Sequence, residues 1–137
     1  MRATVLVDTH ILLWLLTGSK RLRETPWVKQ HEIFAISPVS FLEIKFLHEV
    51  GKIQVDLPQI LSNLSRDPRF EIDNPPLEQI CLKAIELSWT RDPFDRFLVA
   101  HSDYRRIPFG TVDRHIRENY VHVLYNKEVK KYGKKIG

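Results

Sequence analysis

The chain alternates short runs of β-branched and apolar residues with longer segments in which apolar positions recur at helical spacing. Val5 to Val7 reads as a buried strand, and the apolar run that follows to Leu16 as a helix with Leu12, Leu15 and Leu16 near one face. Gly18-Ser-Lys20 breaks that helix, and Leu22, Trp27, Val28 and His31 suggest a short second one. Ile33 to Ile36 has the composition of a second buried strand. Ser37-Pro38 then opens a helix, with Ser as cap and Pro at the first position, that runs to about Val50 and stops at Gly51. Pro58 opens another, Gln59 to Ser65. Arg69 to Ile72 reads as a third strand and Asn74-Pro-Pro76 as a turn. Leu77 to Leu87 is helical, with Ile80, Ala84 and Leu87 on one face, and Asp92-Pro93 opens a helix reaching about Arg106. Ile107 to Val112 is a strand, Arg114 to Asn119 a short helix and Tyr120 to Tyr125 a last strand. Strands alternating with helices predict an α/β fold: a three-layer α/β/α sandwich around a mainly parallel sheet.

Composition narrows the class. A chain of 137 residues is one domain's worth. The longest apolar run, Ile11 to Leu16, falls far short of the roughly 20 residues that span a bilayer. An early carboxylate, Asp8, argues against a signal peptide, and the single cysteine, Cys81, has no partner for an internal disulfide. A cytoplasmic protein without membrane contact is the expectation. The net charge of +4 resides in the tail, where Lys127, Lys130, Lys131, Lys134 and Lys135 face only Glu128. Residues 1–125, the expected single domain, are therefore balanced. The basic tail 126–137 is either a solvated end or a contact for a polyanion.

Candidate chemistry lies in carboxylates that sit where helices begin. Asp8 ends the first strand and Asp113 ends Phe109-Gly-Thr-Val112, each just before a helix. Each has two readings, a helix cap or a group at the carboxyl edge of a parallel sheet, where such folds place their ligands. Glu43 is set in the helix from Pro38 at steps of about 100° among Val39, Leu42, Phe46, Leu47 and Val50, where an ionised acid needs a partner or a cation. Asp92 is a good cap. Asp95, one turn on, flanks the apolar face between Leu98 and Val99. Helices that follow strands all begin on one edge, so four acids could converge. Two carboxylates about 4 Å apart repel by roughly 4 kcal/mol at an effective dielectric near 20. An all-oxygen cluster favours a hard cation over zinc.

These motifs, in this order, resemble those of the PIN-domain ribonucleases, specifically the toxin component of VapBC-type toxin–antitoxin pairs. They are Val7-Asp8-Thr9-His10 with Leu12-Leu-Trp14; Ser40-Phe-Leu-Glu43-Ile44 followed by Gly51-Lys-Ile53; Asp92-Pro-Phe-Asp95-Arg96; and Thr111-Val-Asp113. The one local departure is Leu42, where the closest subgroup often has Trp. The resemblance implies a PIN-like nuclease domain over 1–125 and an Mg²⁺- or Mn²⁺-dependent endoribonuclease. In it Asp8, Glu43, Asp95 and Asp113 hold the metal, and in-line hydrolysis leaves a 3′-hydroxyl and a 5′-phosphate. Thr9, Ser40, Asp92 and Thr111 would support those acids from behind, and Arg96 and Arg114 would contact phosphate or pair with nearby acids. A cognate VapB-like antitoxin and a homodimer are the implied partners. The alternatives are a non-catalytic PIN-like RNA-binding or interaction module and an RNA-processing nuclease that is not a toxin. A response-regulator-type phospho-acceptor fits less well, because Asp8 stands alone and the late strand ends in Thr111-Val-Asp113.

Overall fold

Val5, Leu6 and Val7 are all fully buried. A strand apolar on both faces belongs inside a sheet covered on both sides. The computed structural model, which describes residues 1–125, places it there; the basic tail lies outside the described residues. Strand β1 (Val5–Val7) pairs in parallel with β2 (Phe34–Ile36) on one side and with β4 (Phe109–Gly110) on the other. Beyond them lie β3 (Phe70–Ile72) and β5 (Val123–Leu124), giving the order β3-β2-β1-β4-β5 with every pairing parallel. Leu6 is in register with Ala35 and Phe109, and Val7 with Gly110.

Alternation along the strands divides the core in two. Val5, Val7, Phe34 and Ile36 face a cluster completed by Ile11 to Leu15 of α1 (Thr9–Thr17), Ile44 of α2 (Val39–Glu49) and Leu64 of α3 (Leu57–Arg66). Leu6, Ala35 and Phe109 face the opposite cluster, with Leu98 and Val99 of α5 (Pro93–Arg105) and Ile116 of α6 (Arg114–Asn119). Helix α4 (Leu77–Ile85) packs on α5. The result is the expected α/β/α sandwich. None of the described helices is long and apolar enough to cross a membrane.

Two devices set the central elements. The fully buried Trp27 ring packs against Gly110, where an added Cβ would stand 2.2 Å from Trp27 Cη2. Helix α5 is tied to the end of β3 through Asp73, which accepts from His101 Nε2 at 2.7 Å, Arg105 Nε at 2.7 Å and Arg105 Nη2 at 3.0 Å. Burial alone would raise the Asp73 carboxyl, but these hydrogen bonds hold it below its ordinary value. Burial also keeps the enclosed His101 below its ordinary value, against the pull of Asp73.

The structure corrects several local expectations. The short helix expected over Leu22 to His31 is two 3-10 turns, Lys20–Glu24 and Pro26–Gln30. Pro26 has no N–H to continue a helix and its ring clashes with the preceding turn. The last two strands are shorter than expected, Phe109–Gly110 and Val123–Leu124 against Ile107 to Val112 and Tyr120 to Tyr125, and α4 ends at Ile85 rather than Leu87. The largest change concerns α2. Its buried residues are Ser40, Glu43, Ile44 and Leu47, whereas Leu42, Phe46 and Val50 are exposed. Glu43 is therefore buried on a partly polar face, next to the apolar ridge rather than in the middle of it. Ser40 and Glu43 can be buried because Thr9 stands opposite to satisfy them.

Candidate functional site

From β1 the chain passes to α1 on one face of the sheet, and from neighbouring β4 to α6 on the other. Divergence at adjacent strands leaves a crevice outside their carboxyl ends. Asp8 leaves β1 there, its N–H donating to Gly110 O at 2.9 Å. Its Oδ1 accepts from Thr9 N at 2.7 Å and its Oδ2 from Thr111 Oγ1 at 2.7 Å. Both readings of Asp8 thus hold at once: it caps α1, and its side chain stands at the crevice. Thr111 also accepts from Asp113 N at 3.0 Å, so one buried threonine links the two strand-end acids.

The other acids arrive on helices. Thr9 Oγ1 donates to Glu43 Oε1 at 2.5 Å and lies 3.0 Å from Ser40 Oγ, bracing the α2 carboxylate from behind. Asp92 caps α5, accepting from Phe94 N at 2.8 Å and Asp95 N at 3.3 Å. Asp113 caps α6, accepting from Ile116 N at 3.0 Å. Asp95, in the first turn of α5, is half-buried.

Asp8, Glu43, Asp92, Asp95 and Asp113 line one cleft of about 490 Å³, together with His10, Leu47, Lys52 and Ile53. Crowding shows in their acidities. Burial, then the charges of Asp92, Asp8, Asp113 and Glu43, push Asp95 from its ordinary 3.8 to about 8. Burial, then the charges of Asp8 and Asp92, push Glu43 from 4.5 to about 7 against the hydrogen bond from Thr9. Burial likewise raises Asp8, opposed by Thr111, His10 and the Thr9 amide. At neutral pH such a cluster must hold protons or gather a positive charge. All-oxygen donors suit a hard divalent cation, whose entry displaces those protons. The carboxylates lining the cleft are those of Asp8, Glu43, Asp92, Asp95 and Asp113. Among the described residues, no three His, Cys, Asp or Glu side chains meet in a ready-made metal cage. The acids line the cleft without converging on one point.

Neither of the two arginines expected to contact phosphate, Arg96 and Arg114, lines the cleft. Arg96 Nε donates to Thr90 O at 2.7 Å, and its Nη1 lies 3.4 Å from both Ala84 O and Ile85 O. Its guanidinium thus closes the carboxyl end of α4, a natural place for a cation, and is not among the groups lining the cleft. Arg114 is exposed at the start of α6, also outside that lining. Lys52 and His10 line it instead, and sequence reasoning gave neither a role. The available signal was Gly51, whose φ of 79° turns the chain back at the end of α2 and brings Lys52 and Ile53 over the cleft.

Comparison with known proteins agrees with this fold. The sequence profile of the PIN domain matches residues 5–121. A chain of a toxin–antitoxin complex from Klebsiella pneumoniae superposes with a TM-score of 0.65 at 18% identity, over 89% of this chain and 97% of that one. PAE2754 from Pyrobaculum aerophilum superposes with a TM-score of 0.60 at 20% identity, over 96% of each chain. No curated protein sequence matches.

Proposed function

The chain belongs to the PIN domain family, and from that premise we propose that it is a divalent-cation-dependent endoribonuclease acting as the toxin of a toxin–antitoxin pair. The observation that carries the reading is the acidic cleft at the β1–β4 switch point, with Glu43 raised to about 7 and Asp95 to about 8. Acids so crowded call for a cation, and Asp8, Glu43, Asp95 and Asp113 would hold Mg²⁺ or Mn²⁺ there. When bound, such a cation acidifies water and offsets charge at a phosphodiester. The chain's own residues do the rest. Thr111 orients Asp8, Thr9, itself held by Ser40, orients Glu43, and Asp92 fixes the first turn of α5 that presents Asp95. Thr111, Thr9 and Ser40 do this without adding charge, whereas Asp92 adds to the negative charge that raises Asp95.

The toxin assignment rests on the motif resemblance and on the shared fold of a chain from a toxin–antitoxin complex. It implies an antitoxin over the cleft, a homodimer and a cytoplasmic site of action. One observation favours a second reading, a non-catalytic RNA-binding or interaction module: the described acids do not meet at one point. Calorimetric titration with Mn²⁺, alongside cleavage of RNA by wild type and Asp8→Asn, separates the two. The nuclease reading expects saturable binding and cleavage, both lost in Asp8→Asn while its circular dichroism is unchanged. Absence of binding in the wild type leaves the module.

A further inference from the structure

The cleft lining includes one lysine. Lys52 and His10 share its wall with five carboxylates. The Lys52 backbone is fixed by the end of α2, where Gly51 N donates to His48 O at 3.0 Å and Lys52 N to Leu47 O at 2.9 Å. Its side chain is exposed, and among the described residues its ammonium forms an ion pair with none of the acids around it. That separates it from cations already committed to protein groups, such as Lys83 on Asp103 at 3.0 Å and Arg96 on backbone carbonyls. A lysine present only to offset the cluster would sit in contact with one of its carboxylates. A polyanionic strand approaching five acids also meets repulsion, and a wall cation lowers it.

We propose that Lys52 is the phosphate-contacting residue of this cleft. Its ammonium takes a non-bridging oxygen of an RNA phosphate and sets the strand against the carboxylates, the position that sequence reasoning had given to Arg96 and Arg114. This inference rests on the nuclease reading. His10 also lines the cleft.

The test uses the full chain and a fluorescein-labelled single-stranded RNA of random sequence, titrated by anisotropy over a range of salt in Ca²⁺. Each contact to single-stranded nucleic acid contributes about 0.7 to the slope of log K against log salt. Lys52→Ala should lower that slope by about this amount and weaken binding at low salt by roughly five- to tenfold. Lys52→Arg should restore both. Lys45→Ala, an exposed α2 lysine outside the cleft lining, should behave as wild type. If Lys52→Ala matches wild type while the wild type binds RNA and cleaves it in Mn²⁺, this inference falls and the nuclease reading stands. An equal loss in Lys45→Ala also overturns it, by assigning the effect to diffuse surface charge. A wild type that neither binds nor cleaves RNA overturns both.

Discussion

Replacing Asp95 with Asn removes one charge from the crowded cleft and leaves its shape nearly intact. In the cation-free protein the folded state holds the Asp95 proton up to about pH 8, whereas its ordinary value is 3.8. Between those limits the folded state binds more protons than the unfolded state, so stability falls as pH rises. The favourable contribution is complete below 3.8 and gone above about 8. A dry site would give ~5–6 kcal/mol over that span. Asp95 is only half-buried, and solvent screening reduces the figure to about 2 kcal/mol. For a domain of this size that is on the order of 7 °C in Tm. Melts of wild type and Asp95→Asn in a chelating buffer should therefore nearly coincide near pH 3.5, with the variant melting several degrees higher at pH 8. Adding Mn²⁺ at pH 8 should raise the wild type and close the gap, because a ligand that binds only the folded state stabilises it. Melting temperatures of the two proteins that keep a constant difference from pH 3.5 to 8 would refute the reasoning, since the acids would then not be sharing an electrostatic strain.

Two further outcomes follow from the core. Gly110→Ala drives a Cβ to 2.2 Å from Trp27 Cη2 and should cost about 3 kcal/mol in urea denaturation, with Trp27→Leu in the same chain recovering part of the loss. Asp73→Ala strands buried His101 and deprives Arg105 of its partner, at a cost of about 2 kcal/mol. This site has the opposite pH dependence to the cleft. Asp73 and His101 are both held below their ordinary values, so the unfolded state binds their protons more readily and stability falls with acid, first below the ordinary histidine value of 6.5 and again in the carboxylate range. Asp73→Asn should flatten the lower step in acid-denaturation profiles.

The acids at strand ends were legible because a few consecutive residues encode them. Val5 to Asp8 and Phe109 to Asp113 each carry strand, carboxylate and helix start together, and an all-parallel sheet puts such junctions on one edge. Glu43 was found by a partly mistaken route. The wheel marked it as an acid among apolar residues, but the ridge of Leu42, Phe46 and Val50 faces outward, and what buries Glu43 is the distant Thr9 hydroxyl. Apolarity alone does not identify a buried face that contains satisfied polar groups. Arg96 misled for a related reason. Its partners are carbonyls of Ala84 and Ile85 at the end of another helix, and no local pattern announces a side chain bound to backbone. Lys52 stood in the Gly51-Lys-Ile53 motif without a role, because its place on the cleft depends on the left-handed turn at Gly51, which sets direction through geometry rather than residue chemistry.

The packing of Trp27 against Gly110 has an optical consequence. The indole is fully enclosed and its Nε1 has no hydrogen-bond partner among the described residues, an environment that places its emission at the blue end of the tryptophan range. Gly110 belongs to the strand beside β1, and Asp8 donates its N–H to Gly110 O. A chain keeping Trp27 as its sole indole, with Trp14 and Trp89 changed to Phe, therefore carries an intrinsic fluorophore at the junction from which Asp8 and Asp113 depart. Quenching by acrylamide would register any loosening of that junction while the rest of the fold stays closed, so cation capture by the acids can be followed from inside the protein without a label or a substrate.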